Sequence, residues 1–202
     1  MWWSELQAQA AAMATMTPRI DPAADISPRA TLRGAVQVGA GSRVCDGATL
    51  EGPVRIGRDC LIGNNALIRG PCVIGDRSRI GFATEIKNAV LGQDVSVGPQ
   101  CFVADSRVDD GAYLGALVRT SNHRLDATTV SVMRHGELRD TGLSKLGAWI
   151  GAGAALGVAV IILPGRVIAP GTELGPRITV EKNLPAGRYR LVQQLQCHPP
   201  LE

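Results

Sequence analysis

Aromatic residues are scarce in this chain: three Trp, two Tyr and two Phe make up 3% of 202 residues. A core built around aromatic anchors is therefore excluded. With 45% hydrophobic residues the chain can still bury an interior, which has to be filled by small aliphatic side chains at a regular spacing. Charge of one sign is also lacking, since 21 Lys and Arg face 18 Asp and Glu in an interspersed order. No basic stripe with interleaved aromatics appears, which argues against a nucleic-acid partner. No apolar run is long enough to span a bilayer, and the segment from Met1 to Glu5 lacks the basic-then-apolar pattern of a secretory signal. The five cysteines, Cys45, Cys60, Cys72, Cys101 and Cys197, are odd in number and match neither a zinc spacing nor a disulfide framework. They read as free thiols in a reducing, cytoplasmic setting. The length fits one domain, and 24 Gly with 12 Pro suit a chain that turns often.

What is present is a repeat of six. From Ile26 every sixth residue is Ile, Leu or Val: Leu32, Val38, Val44, Leu50 and Ile56, then Ile62, Ile68, Ile74, Ile80 and Ile86. At ordinary aliphatic abundance such a run arises by chance roughly once in a few million. The series slips by one residue to Leu91, Val97 and Val103, slips again to Val108 and Leu114, and returns from Ile150 to Val180. Glycine often follows the aliphatic residue, as at Gly39, Gly57, Gly75 and Gly92. A small or β-branched residue stands four positions on, as at Ser42, Ala48, Cys60 and Thr84. A period of six cannot hold one face of an α-helix. It fits short flat strands joined by turns, with the aliphatic residue inward, the small residue inward near a corner, and the glycine easing the turn. Three such units make a coil of about 18 residues, and coils stack about 4.8 Å apart with backbone hydrogen bonds between them.

This places an N-terminal helix (2–14) and a linker in residues 1–25, a parallel β-helix in 26–184, and a tail in 185–202 that covers the helix end. Residues 119–145 break the repeat. An insertion of that length in a repeat fold is a common seat of function. Val130 to Met133 and Glu137 to Arg139 flank His135-Gly136 and read as a small hairpin, with His135 in its turn.

The rungs resemble those of the left-handed β-helix acyltransferases. They are most similar to the C-terminal acetyltransferase domain of bifunctional sugar-1-phosphate nucleotidylyltransferases, including the archaeal type. Nothing here resembles the Gly-rich nucleotide loop of the nucleotidylyltransferase part. Three stretches carry the likeness: Glu85-Ile86-Lys87-Asn88 after Ile80-Gly81-Phe82; Leu114-Gly115-Ala116 through Asn122, His123, Arg124 and Asp126; and Asp140-Thr141-Gly142 with Lys145-Leu146-Gly147. The resemblance implies an all-β, left-handed parallel β-helix with a short N-terminal helix and one long inserted loop. It also implies a homotrimer with active sites in the grooves between copies. Acetyl-CoA would be the acyl donor, a small and anionic amine the acceptor, and no metal, nucleic acid or membrane would be involved.

Carried over by position, Arg69 and Lys87 stand where the family binds the sugar phosphate, and Asn122 matches the asparagine near the acetyl group. Two cations one coil apart make an anion clamp. Gln100 and Tyr113 join them on the acceptor side; Ala116, Arg188 and Arg190 stand on the donor side. The family's catalytic histidine falls near Pro99-Gln100 and its tyrosine near Phe102, so neither is present, and a glutamine cannot take a proton near neutral pH. Two lysines of the archaeal loop correspond to Thr128 and Ser131. Two readings stay open. In one, the site is rebuilt with His123 as base, oriented by Asp126 or supported by Asp105. In the other, the chain is a non-catalytic binding or scaffold homologue. A third, a zinc carbonic anhydrase on the same fold, needs histidines on the rungs. His123, His135 and His198 all lie outside them.

Overall fold

The computed structural model describes residues 1–134 and 136–194. The readings of His135, Cys197 and His198 lie outside the described residues. The chain forms strands of two or three residues that wind into three parallel sheets of eight, nine and eight strands. These are the walls of a left-handed β-helix. The first sheet runs from Arg19–Ile20 through Val54–Ile56 to Val167–Ile168. The second runs from Asp25–Ile26 through Tyr113–Leu114 to Arg188–Tyr189. The third holds Leu67–Arg69, Glu85–Lys87, Phe102–Ala104 and Arg119–Thr120. Val36 pairs with Val54, one coil of 18 residues on, whereas Val73 pairs with Val90 and Glu85 with Phe102, one residue sooner.

The aliphatic series lines the interior. Leu50, Ile62, Ile68 and Ile86 are fully buried, and so are Leu114, Ile150 and Leu156. Only Ile26 and Leu32, in the open first coil, are half-buried. The small residues four positions on are also inward, and the polar ones tie neighbouring coils together. Ser42 donates to the Gly57 carbonyl at 2.7 Å and accepts from the Cys60 amide at 2.9 Å. Ser78 and Thr84 repeat the arrangement with Gly92 and Val95, and with Gly98 and Cys101. These three buried hydroxyls are each satisfied twice, which removes the cost of their burial, whereas the buried hydroxyl of Thr172 has no partner among the described residues.

The glycine after each aliphatic residue serves a different purpose from easing the turn. A Cβ at Gly39 would lie 2.6 Å from the Gly57 carbonyl oxygen, and one at Gly75 would lie 2.5 Å from the Gly92 carbonyl carbon. Glycine is needed there because corners of successive coils stack in contact. The left-handed backbone falls two residues later, at Asp59 (φ 55°), Asn65 (56°), Arg77 (60°) and Gln100 (56°).

Outside the walls, the helix Trp2–Ala12 buries Trp2, Trp3 and Leu6 against Val130, Val132 and Leu146 of the insertion. Trp2 and Trp3 meet edge to face with centroids 6.0 Å apart. Thr120 still turns inward and its strand pairs with Ile161–Ile162, so the chain leaves the walls after it. The insertion carries the antiparallel hairpin Ser131–Arg134 with Glu137–Asp140, and the walls resume where Trp149 pairs with Arg107. In the tail, Arg188–Tyr189 adds a parallel strand beside Glu173–Leu174, and Tyr189 packs on the core at its open end. No described helix is long and apolar enough to cross a membrane.

Removing one inward side chain leaves a cavity between two fixed coils. Ile68→Ala is expected to cost about 2–5 kcal/mol. Arg55→Ala, on the outward position between Val54 and Ile56, should change stability by about 0.5 kcal/mol or less. Equilibrium denaturation of both variants checks the contrast.

Candidate active site at the loop corner

The insertion leaves and rejoins the walls at the corner between the third and first sheets, and that corner is built unlike the others. In the early coils it takes six residues from one inward aliphatic to the next; between Ile86 and Leu91, and between Val103 and Val108, it takes five. The shortened corners turn on Asn88 (φ 44°) and Asp105 (φ 49°), two residue types that tolerate the left-handed region. They are stacked in consecutive coils. The Asp105 carboxylate accepts from Asn88 Nδ2 at 2.6 Å and from Asn122 Nδ2 at 2.5 Å. Its amide donates to the Lys87 carbonyl at 2.9 Å, and its own carbonyl accepts from the Gly147 amide at 2.8 Å. Asp105 therefore holds the outgoing strand through Asn122 and the returning strand through Gly147.

Arg69 and Lys87 pair in register on the third sheet, at strand ends that lead into this corner. Arg69 is not wholly free, because its guanidinium Nε donates to Glu85 Oε1 at 2.9 Å. Both side chains are half-buried. Cys72, beyond Arg69, is buried and donates to the Arg69 carbonyl. Burial pushes its thiol pKa up to about 12, so it is no nucleophile at neutral pH. At the loop base, His123 is exposed and bridges to Lys145 in antiparallel fashion, while the Leu146 amide donates to the Asn122 carbonyl at 2.9 Å. Asp126 is engaged by Arg124 and Thr128, with Arg124 Nη2 donating at 2.6 Å. Those bonds, Arg124 first, hold its carboxyl far below the usual carboxylate range. Arg166 lies near Arg124; burial first, and then that neighbouring cation, lower its pKa.

The other expected site residues lie elsewhere. Gln100 and Ala116 occupy successive coils of the corner between the second and third sheets, where the Gln100 amide donates to Phe82 and the Ala159 amide to Ala116. Tyr113, Arg188 and Arg190 line a cleft of about 310 Å³ on the outer face of the second sheet, with Gly157 and Glu173. Glu173 takes both Nε and Nη2 of Arg188, at 2.8 and 3.0 Å. In a three-walled helix the second sheet lies opposite the corner between the third and first. One chain thus brings together Arg69, Lys87, Asn122 and His123, and separately Tyr113, Arg188 and Arg190.

Comparison with known proteins fits this architecture. Residues 15–132 match the family described as the GMPPB C-terminal domain. The chain belongs to that family, within the left-handed β-helix acyltransferases. It is 57% identical over 162 residues to an uncharacterized acetyltransferase, YaiX, of Escherichia coli O6:K15:H31, covering 80% of this chain and 70% of that one. It is 29% identical over 114 residues to a bifunctional sugar-1-phosphate nucleotidylyltransferase/acetyltransferase of Sulfurisphaera tokodaii, covering 56% of this chain and 28% of the relative. Among solved structures, the UDP-N-acetylglucosamine O-acyltransferase of Moraxella catarrhalis is 16% identical with a TM-score of 0.48, over 81% of this chain and 67% of that one.

Family position assigns no role to Asn88, does not pair Glu85 with Arg69, and gives Asp105 only a supporting part. A signal existed: the two five-residue steps of the aliphatic series fall on Asn88 and Asp105.

The Arg124–Asp126 pair makes a pH prediction. A carboxyl whose folded pKa is depressed contributes stability above its unfolded pKa and loses it as pH falls through the folded value. Asp126 should therefore stay ionised in acid where ordinary aspartates protonate, and Arg124→Ala should return it towards the usual range. Carboxyl-detected NMR titration reads both.

Proposed function

We propose that the chain is a CoA-dependent acyltransferase that moves an acetyl group to an amino group on a phosphorylated sugar or a nucleotide-sugar-like acceptor. The observation that supports acyl transfer most directly is the 57% identity to an uncharacterized acetyltransferase over 70% of that relative's length. The stacked cations Arg69 and Lys87 support an anionic acceptor, since two adjacent positive groups on a rigid wall suit a phosphate.

In the proposed step the acceptor nitrogen attacks the thioester carbonyl and the carbon–sulfur bond breaks. The proton lost by nitrogen goes to His123 and from it to the departing sulfur, so that CoA leaves as the thiol. Asn122 stands beside the acetyl group. Both its amide hydrogen bond to Asp105 and its carbonyl bond from Leu146 fix its place. Gln100 and Tyr113 contact the acceptor; Ala116, Arg188 and Arg190 hold the donor. The thioester is already an activated acyl group, so the step uses no metal. Because corner and cleft lie on opposite sides of one chain, the site is shared between copies of a cytoplasmic homotrimer, in which one copy's corner faces a neighbour's donor surface.

A second reading is favoured by two observations: Gln100 occupies the family's base position, and Glu85 already engages Arg69. It makes the chain a binding or scaffold homologue without turnover.

The test is release of free CoA thiol from acetyl-CoA with a panel of amino-sugar phosphates. Turnover is expected, with kcat lowered about 100-fold or more by His123→Ala. Lys87→Ala is expected to raise the acceptor KM about tenfold, the loss of one charge-assisted contact. Acceptor binding with no thiol release from any amine would favour the second reading. Full activity in His123→Ala would remove that residue as the base.

A further inference from the structure

Asp105 is the one charged side chain buried among the described residues, at 5% exposure. Its carboxylate is bonded only by neutral amides, Asn88 Nδ2 and Asn122 Nδ2, and forms no ion pair among the described residues. A buried charge is costly unless hydrogen bonded and paired. The amides supply hydrogen bonds but bring no positive charge. Asp105 also opens onto a cavity of about 240 Å³, walled by Asn88 and Lys145 and roofed by Trp3, Leu6 and Ala10 of the N-terminal helix. Lys145 is the cation in this wall. It is exposed, bridged through its backbone to His123, and stays out of ion-pairing distance of Asp105.

The amide geometry fixes polarity too. Asn88 lines the cavity, and once it spends an N–H on the carboxylate its carbonyl oxygen remains as an acceptor. An amide oxygen beside a carboxylate suits an N–H-rich cation.

We infer that the cavity at Asp105 binds the primary ammonium of the acceptor, so that a phosphorylated amino sugar straddles the corner. This rests on the proposed acceptor class. The phosphate lies against Lys87 and Arg69 on the third sheet, and the amino group turns in past Asn88 to Asp105. Lys87 and Asn88 are consecutive, so the two subsites are one residue apart along the chain. The N-terminal helix, as roof, becomes part of the acceptor site, and Asp105 supplies the selection of amine over hydroxyl. The ammonium is held in its charged form until one proton is released to solvent; the free amine then attacks the thioester and gives its second proton to His123.

Calorimetry with glucosamine 6-phosphate and glucose 6-phosphate on the full chain, without CoA, tests this. The wild type should bind the amino compound about 10- to 100-fold more tightly, the contrast expected of charged hydrogen bonds. Asp105→Asn should erase that preference and leave glucose 6-phosphate binding unchanged. Ala10→Phe, which fills the cavity from the roof without touching the carboxylate, should erase it as well. Equal affinities in the wild type, no binding of either compound, or a preference kept in folded Asp105→Asn would overturn the inference. If Asp105→Asn fails to fold, Ala10→Phe decides: loss of the preference supports the site and retention overturns it. The preference without thiol release would leave the ammonium site standing and remove acyl transfer; thiol release without the preference would do the reverse.

Discussion

Hydrogen bonds between successive coils set every other feature of this molecule. The Gly57 amide meets the Ile74 carbonyl at 2.8 Å, Gly75 meets Leu91 at 2.9 Å, and Gly92 meets Val108 at 2.8 Å. A ladder of this kind leaves a side chain no freedom to drift along the axis by less than one strand spacing. Chemistry can then be assembled in two ways only. Side chains one coil apart can be stacked, as Arg69 and Lys87 are, or the chain can leave the ladder and return, as it does between Thr120 and Ala148. The candidate site uses both at one corner. Its precision comes from the wall and its reach from the excursion.

An excursion of this length would ordinarily be a mobile surface loop. Closing a longer loop adds little entropic cost, so the insertion is cheap to carry, but it still has to be held to present a reactive group. Two anchors do this. Asp105 grips both strands of the base through Asn122 and Gly147. The helix Trp2–Ala12 folds over Val130, Val132 and Leu146 and gives the hairpin an apolar underside. Trp149 extends the anchor by donating to Asp109 at 2.7 Å. Three of the chain's few aromatic residues therefore serve the insertion, whereas the interior of the walls uses aliphatic side chains.

Much of the fold was legible because a period of six repeated over many rungs has one structural solution. The inward residues from Val38 to Val180 follow directly from it. The reason for glycine after each of them was not legible, since it depends on the neighbouring coil: Gly75 is constrained by Gly92, 17 residues away. The site was harder for the same reason. Spacing shows that Arg69 and Lys87 stack. It does not show that Glu85, on the strand beside Leu67, reaches across to Arg69. Asn122 reads as a loop residue, and only the geometry of the shortened corner joins its amide to Asp105. The slip in the series recorded that corner, but a slip by itself marks a change of path and not its chemistry.

The substitutions at the family's usual positions gain meaning from this arrangement. With Gln100 at the corner between the second and third sheets, the chain has no titratable group near neutral pH at that place. His123 and Asp105 belong instead to the corner between the third and first sheets and to the base of the insertion. A buried carboxylate without a counter-ion is an expensive feature to keep in a fold whose inward positions are otherwise neutral. An asparagine could adopt the same left-handed backbone without the charge, but it would offer one acceptor oxygen where Asp105 offers two, one to Asn88 and one to Asn122. Charge at that position gains its use when a cation arrives, and the cavity under the helix is where a cation would arrive. The same reasoning accounts for the shortened corners: removing one residue brings Asn88, Asp105 and the departing strand close enough for two amides to share one carboxylate.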